Sequence, residues 1–172
     1  RGDWRHYIRG CFLRVQHEVP GTTLCGMKAV VGSDLPRGAA LSSSAALCVC
    51  MIKAILGLNG LGMSNRDLIL AARGAEWYTG SRCGLSDQAA IILGGRNEIV
   101  NTALWADNLD LTTMRRTRIP DDITVLVINS FTERSLSGGA LLSYTKNRFA
   151  YSLALAILRQ EMELHGMIGI LS

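Results

Sequence analysis

A turn that passes into an almost uninterrupted apolar helix constrains this chain of 172 residues more than any other feature. Pro36 and Gly38 form the turn, serines follow at 42–44, and the apolar run continues to Leu56. The first turn of a helix has N–H groups without an intrahelical acceptor, and the helix dipole is positive there, so that end attracts anions. The segment therefore indicates either a phosphate-binding loop or a serine-capped buried helix, and the residues alone leave both open.

Hydrophobic periodicity predicts helices and strands that interleave along the chain. The predicted helices are 4–15, 44–58, one that begins at Ser64, 85–93 and 140–164. The predicted strands are 22–31, 98–105, 114–119 and 123–130. Such interleaving indicates an α/β or α+β fold.

The spacing of apolar residues also predicts which helix faces are buried. The predicted stripes are Trp4, Ile8, Phe12 and Val15 in the first helix, Leu68, Ala71, Ala72 and Ala75 in the third, and Leu141, Tyr144, Tyr151, Leu155 and Leu158 in the last. Asp67, three residues after Ser64, predicts a near-capping box at the start of the third helix. Cys48 and Cys50 fall in an apolar run and are predicted to be small buried thiols.

Composition and charge exclude several classes of function. The net charge of +4 is scattered, and no basic stripe is interleaved with aromatic residues, so nucleic acid is not an expected partner. No uncharged apolar run reaches about 18 residues, which argues against a membrane-spanning helix. The five cysteines lack zinc-site spacing and fit a reducing cytoplasm.

Two acidic residues sit where a charge needs an explanation. Glu76 follows Leu68 and Ala72 at helical spacing, so its carboxylate lies at the end of an apolar stripe. A charge there is costly unless it is paired, binds a cation or reaches solvent beyond the last turn. Asp87 lies at the start of the apolar segment 85–93, where it either caps the helix or carries chemistry.

These segments resemble the galactokinase branch of the GHMP small-molecule kinases. The family's phosphate loop reads Pro-x-Gly-Ala-Gly-Leu-Ser-Ser-Ser-Ala, and residues 36–45 match it except that Ala40 replaces a glycine. Residues 80–88 resemble the family segment Gly-x-x-Cys-Gly-x-Met-Asp-Gln, which also follows a glutamate, with Ser86 in place of Met. Trp4-x-x-Tyr7-x-x-Gly10 is similar to the helix before the loop. Asn129-Ser130, Tyr144 and Arg148 give a looser match to a later segment, and Arg148 is expected to form a structural ion pair.

The resemblance implies an α+β fold, namely a GHMP-kinase-like N-terminal domain of the ribosomal protein S5 domain 2-like type. It implies that residues 1–120 form most of that ATP-binding domain without its first strands. Residues 121–172 would then begin the C-terminal GHMP domain. The family's first segment, with a catalytic Arg and sugar-binding acids, is expected before Arg1.

The resemblance also implies a cytoplasmic, ATP-dependent sugar kinase that phosphorylates the C1 hydroxyl of galactose or a related sugar. ATP phosphates would bind the loop, and Mg²⁺ would bind Ser44 and Glu76. Asp87 would orient or deprotonate the sugar hydroxyl. The loop residues implied to bind ATP are Pro36, Gly38, Ala39, Ala40, Leu41, Ser42, Ser43 and Ser44.

Alternative functions remain open from the sequence. Residues 87–93 also resemble galacturonokinase, so the sugar is not decided. A non-catalytic galactokinase-like sensor of sugar and ATP would use the same fold, although the retained serines and Asp87 favour an enzyme. Ser143-Tyr144-Thr145-Lys146 has the S-x-x-K spacing of acyl-serine enzymes, but their accompanying motifs are absent from the sequence.

Overall fold

The computed structural model of this chain describes residues 3–36, 40–104, 109–128 and 139–164. Its α-helices are α1 (Arg5–Glu18), α2 (Ser43–Leu58), α3 (Asn65–Glu76), α4 (Ser86–Leu93) and α5 (Gly139–Leu164). One turn of 3₁₀ helix, Trp77–Thr79, continues α3. Two short strands, β1 (Glu98–Asn101) and β2 (Arg115–Arg118), pair antiparallel with Glu98 opposite Arg118. The predicted helices and the strands near 98 and 115 are thereby confirmed, with shorter strands than expected.

The core forms where α1, α2 and α3 meet. Its fully buried members include Cys11, Val15, Ile52, Ile55 and Ala72. A second cluster lies under α4 and joins Ile69 of α3 to Leu93 and Leu109. The helix α4 is thus fixed against α3, which carries Glu76.

The start of α3 follows the predicted capping pattern. Ser64 lies just before the helix, and its hydroxyl oxygen accepts a hydrogen bond from the Asp67 N–H at 3.1 Å. The predicted stripe of α3 is also confirmed, because Leu68, Ala71, Ala72 and Ala75 are all buried. Local capping and periodicity therefore place the C-terminal end of α3, and Glu76 with it, inside the protein.

The helices α1 and α3 approach each other closely at Gly10. A side-chain carbon built at Gly10 would overlap the carbonyl oxygen of Ala75. Backbone atoms of a packed helix cannot move aside as a flexible side chain can. Glycine at position 10 therefore sets the distance between the two helices.

We expect Gly10→Ala to lower the free energy of unfolding by about 1–3 kcal/mol, because overpacking forces the two helices apart. Chemical denaturation of the full-length protein measures the change. Gly57→Ala is the matched control, since a side-chain carbon at Gly57 meets nothing within 4 Å. Alanine within α2 should be neutral or stabilising by about 0.5–1 kcal/mol. Equal effects of both substitutions would contradict the close contact.

The strands predicted at 22–31 and 123–130 are wrong for the residues that the structure describes. Residues 22–31 and 123–128 form no strand, and 129–130 lie outside the described residues. Val30 is fully exposed and Ile128 is 85% exposed, whereas Leu24 and Met27 are partly buried against the core. A strand requires a hydrogen-bonded neighbour, and the only pairing in the described part of the chain joins β1 to β2.

Three predictions of burial are also wrong. Trp4 is 59% exposed, because it precedes the first residue of α1 and lies beyond the core contact. Cys50 is exposed while Cys48 is buried, since the two residues point to different sides of α2. The stripe predicted for α5 is exposed at Tyr151, Leu155 and Leu158, because α5 contributes no residue to the described core clusters. The side chain of Leu141 lies outside the described residues.

None of the helices that the structure describes combines the length and hydrophobicity needed to cross a lipid bilayer.

Candidate functional site

The segment that leads into α2 has an unusual backbone. Ala40 and Ser42 both adopt the left-handed conformation, with φ of 55° and 56°. Ser42 precedes the first residue of α2, yet its side chain makes no capping hydrogen bond. The serine-cap interpretation is therefore wrong for Ser42, and its hydroxyl is not used to close the helix end. Gly38 and Ala39 of the predicted loop lie outside the described residues.

Glu76 is buried at the C-terminal end of α3. Glu76 is only 4% exposed, so the interpretation that its carboxylate reaches solvent beyond the last turn of α3 is wrong. The Gln88 side-chain amide of α4 donates a hydrogen bond to Glu76 Oε1. Burial raises the pKa of Glu76, hydrogen bonds with Ser44 and Gln88 partly lower it, and the negative charge of Asp87 raises it further. A bound cation would stabilise the ionised form of this carboxylate.

A small polar network surrounds Glu76 and joins four helical elements. Burial raises the pKa of the Tyr7 hydroxyl, and hydrogen bonds with the Thr79 and Ser44 side chains lower it in part. The Thr79 hydroxyl donates to the main-chain oxygen of Glu76 at 2.8 Å. Residues from α1, α2, α3 with its 3₁₀ extension, and α4 thus converge on one carboxylate.

Asp87 lies beside this network but on the surface. It is exposed in the first turn of α4, directly before the fully buried Gln88. Burial raises the pKa of the Cys83 thiol to about 12, with further contributions from the charges of Glu76 and Asp87. The Cys83 thiol therefore stays neutral at neutral pH. Ser44 hydrogen-bonds with Glu76, and Asp87 is close enough to raise the pKa of Glu76. The structure thus brings Ser44, Glu76 and Asp87 together, although they are far apart in sequence.

The donor set available for a metal ion is small. Among the described residues, no group of three or more His, Cys, Asp or Glu side chains could hold a metal ion. Ser44 and Glu76 offer one hydroxyl and one carboxylate. Mg²⁺ keeps several waters and is commonly held by one or two carboxylates together with substrate phosphates. The residues therefore fit Mg²⁺ that binds together with a nucleotide.

Sequence reasoning assigned no role to three residues of this network: Tyr7, Thr79 and Gln88. Tyr7 and Gln88 lie within the segments that resemble the kinase family, so the resemblance could have pointed to both residues. Their contacts with Ser44, Glu76 and Thr79 depend on tertiary packing and could not be read from spacing. Thr79 carried no signal beyond its proximity to Glu76.

Comparison with known proteins decides the family. A family model described as the GHMP kinases N terminal domain matches residues 6–95, just over half of the chain. This chain belongs to the GHMP kinase family. The matched range of the GHMP domain runs from α1 through α4, and it contains the serine loop, Glu76 and Asp87.

Curated relatives narrow the similarity to one branch of the GHMP kinases. A galactokinase of a Roseiflexus species is 37% identical over 158 residues, which cover 91% of this chain and 38% of that protein. The Thermococcus kodakarensis galactokinase is 32% identical over 157 residues, 91% of this chain and 42% of the relative. The Chloroflexus aurantiacus galactokinase is 33% identical over 161 residues, with 92% and 38% covered. The chain thus spans about two-fifths of the length of these relatives, and the resemblance found in the sequence is confirmed.

Proposed function

We propose that the protein containing this chain is an ATP-dependent sugar kinase that transfers the γ-phosphate to the C1 hydroxyl of galactose or a related sugar. The observation that carries the proposal is the buried carboxylate of Glu76, held by Gln88 and adjacent to Ser44 and Asp87. The galactokinases among its relatives support the choice of sugar class.

The loop before α2 is proposed to hold the phosphates of ATP. The left-handed backbone at Ala40 and Ser42 turns the chain into the helix, so first-turn N–H groups and the helix dipole face an incoming anion. Small side chains let phosphate oxygens approach the main chain. The proposed contacts are Pro36, Gly38, Ala39, Ala40, Leu41, Ser42, Ser43 and Ser44.

Ser44 and Glu76 are the residues proposed to hold Mg²⁺. When bound, Mg²⁺ neutralises negative charge on the β- and γ-phosphates. The Gln88 amide donates to Glu76 Oε1, and the Ser44 side chain also hydrogen-bonds with this carboxyl group, so both groups restrict its orientation. Gln88 is fully buried, so this orientation is held by packing as well as by the hydrogen bond.

Asp87 is proposed to accept the proton of the sugar C1 hydroxyl. A general base must lie within hydrogen-bond reach of that proton, and exposed Asp87 can contact a substrate that binds over the start of α4. The main chain joins Asp87 directly to Gln88. The proposed base and the proposed metal ligand Glu76 are therefore held in a fixed relation.

We further propose the domain organisation that the resemblance implied. Residues 1–120 would form most of a ribosomal protein S5 domain 2-like N-terminal domain, and residues 121–172 would begin the C-terminal domain, in a cytoplasmic enzyme. Segments 22–31 and 123–128, which expose apolar side chains such as Val30 and Ile128, would then pair with strands from elsewhere in the full-length protein.

The test is ADP formation by the full-length protein with Mg–ATP and a panel of sugars. We expect galactose-dependent ADP formation. Turnover with galacturonate but not galactose would place the protein with galacturonokinases. Binding of sugar and ATP without turnover would instead support the non-catalytic sensor and would contradict the proposed reaction.

We expect Ala40→Gly to leave ATP affinity unchanged or to improve it. A left-handed φ of 55° costs alanine roughly 1–2 kcal/mol that glycine does not incur, and removal of the methyl group also relieves crowding near a phosphate. Calorimetric titration of the full-length protein with ATP measures the change. Ala54→Gly, at an exposed site within α2, is the control and should lower stability without a gain in affinity. A sharp loss of ATP affinity in Ala40→Gly would mean that phosphate contacts require the alanine.

A further inference from the structure

The 80–85 loop connects the two carboxylates of the proposed site. It follows the 3₁₀ turn after α3, where Glu76 lies, and leads into α4, where Asp87 lies. The loop begins sharply, because Gly80 adopts φ of 97° and its N–H donates to the main-chain oxygen of Trp77 at 3.0 Å. The path of this loop determines where Asp87 lies relative to Glu76, so the contacts that hold the loop bear on the proposed reaction.

One side chain, Trp77, ties the 80–85 loop back to α3. The indole N–H donates to the main-chain oxygen of Cys83 at 3.3 Å. The guanidinium carbon of Arg82, in the loop, lies 4.6 Å from the centre of the Trp77 ring. The guanidinium carbon of Arg73, one turn earlier in α3, lies 4.7 Å from the same ring. These are cation–π contacts, so one indole binds two successive loop residues and one residue of α3.

Cys83 also joins the loop to the polar network around Glu76. The Gln88 side-chain amide donates to Cys83 Sγ at 3.9 Å, a weak contact, and to Glu76 Oε1. Gln88 is fully buried and directly follows Asp87 in the chain. A displacement of the loop at Cys83 would therefore disturb the side chain that restricts the orientation of Glu76.

We propose that Trp77 is a positioning residue for the kinase reaction, which it serves by holding the 80–85 loop so that Asp87 stays in place relative to Glu76. The inference rests on the proposed function, in which Asp87 is the base and Glu76 the metal ligand. Trp77 acts through Cys83 and Arg82 rather than on ATP or sugar. Phosphoryl transfer needs close alignment, and a misplacement of about 1 Å costs roughly 10²-fold in rate.

The first reading is the rate at which iodoacetamide alkylates each thiol of the full-length protein, followed by peptide mass spectrometry. Half-buried Cys83 reacts when the loop opens, whereas Cys11 and Cys48 are fully buried and react only when the core opens. We expect Trp77→Ala to speed alkylation of Cys83 by roughly tenfold or more, because a hydrogen bond and two cation–π contacts are lost. Trp77→Phe keeps a ring for the arginines and should speed it by roughly 2–10-fold.

The second reading is sugar-dependent ADP formation. We expect Trp77→Ala to lower kcat by roughly 10–100-fold. The KM for ATP should stay near the wild-type value, because the proposed ATP contacts lie in another segment, 36–44. Trp77→Phe should recover most of the lost turnover. Tyr78→Ala is the matched control, since Tyr78 is an exposed aromatic residue of the same 3₁₀ turn, and it should match the wild type in both readings.

Three results would overturn the proposal. Alkylation of Cys83 in Trp77→Ala at the wild-type rate would show that Trp77 does not hold the loop. Equal acceleration at Cys11 and Cys48 would make Trp77 a residue of general stability, and faster alkylation of Cys83 without loss of kcat would show that the loop does not position Asp87. The proposed function fails separately, since a wild type without sugar-dependent turnover refutes the kinase reaction while the alkylation rates still decide whether Trp77 holds the loop.

Discussion

An Asp87→Asn substitution in the full-length protein is expected to lower the turnover number by roughly 10²–10⁴-fold, the usual contribution of a general base. Asparagine keeps the size and exposure of the side chain but cannot accept the proton of a sugar hydroxyl. The residues proposed to bind ATP are unchanged, so ATP affinity should survive. Turnover is measured as sugar-dependent ADP formation, and ATP affinity by calorimetric titration.

Asp67→Asn is the matched control for this prediction. Asp67 occupies the first turn of α3 as Asp87 occupies the first turn of α4; Asp87 is exposed, and the Asp67 side chain is about half exposed. Loss of a helix-terminal charge alone costs about 0.3–1 kcal/mol of stability and leaves turnover intact. Asp87→Asn turnover close to that of Asp67→Asn would refute the assignment of Asp87 as the base.

The second large effect is expected from Glu76→Gln. Loss of a carboxylate ligand should raise the magnesium concentration needed for half-maximal activity by roughly 10–100-fold or more. Substitution of residues that only hydrogen-bond to a metal ligand already lowers metal affinity or activity by that factor. Stability without Mg²⁺ should stay equal or rise, because a buried charge is removed while an amide can still contact Gln88. Activity at varied Mg²⁺ and thermal unfolding without Mg²⁺ give the two readings.

Glu98→Gln serves as the control for Glu76. Glu98 pairs with Arg116 across β1 and β2 at 2.8 Å and is exposed. Its loss should change stability by at most about 1 kcal/mol and leave the magnesium titration unaltered. An unaltered magnesium titration in Glu76→Gln, together with lower stability, would show that Glu76 acts as a structural residue.

Local patterns predicted those parts of the molecule that local interactions determine. Ser64 and Asp67 predicted the start of α3, and the spacing of Leu68 and Ala72 predicted the buried face that ends at Glu76. The resemblance of short segments named Ser44, Glu76 and Asp87, and the structure brings these three together. No spacing rule showed that Gln88 would contact Glu76, because that contact requires α4 to pack on α3.

The wrong predictions of strands and of the α5 stripe share a physical cause, which is the need for a partner. Segments 22–31 and 123–128 have strand-like composition, but composition does not supply the neighbouring strand that main-chain groups require. The apolar stripe of α5 likewise predicts burial only where another element covers it. The Arg73, Arg82 and Trp77 cluster also escaped detection, since stacking depends on how the chain turns after Glu76.

Phosphorus NMR of the reaction product identifies the hydroxyl that receives the phosphate. Full-length protein is incubated with Mg–ATP and galactose carrying a carbon label at C1. We expect the wild type to form a product whose phosphate signal is split by coupling to the labelled carbon, and Asp87→Asn not to form it. Phosphate attached to another hydroxyl, or ATP converted only to ADP and free phosphate, would contradict the proposed reaction.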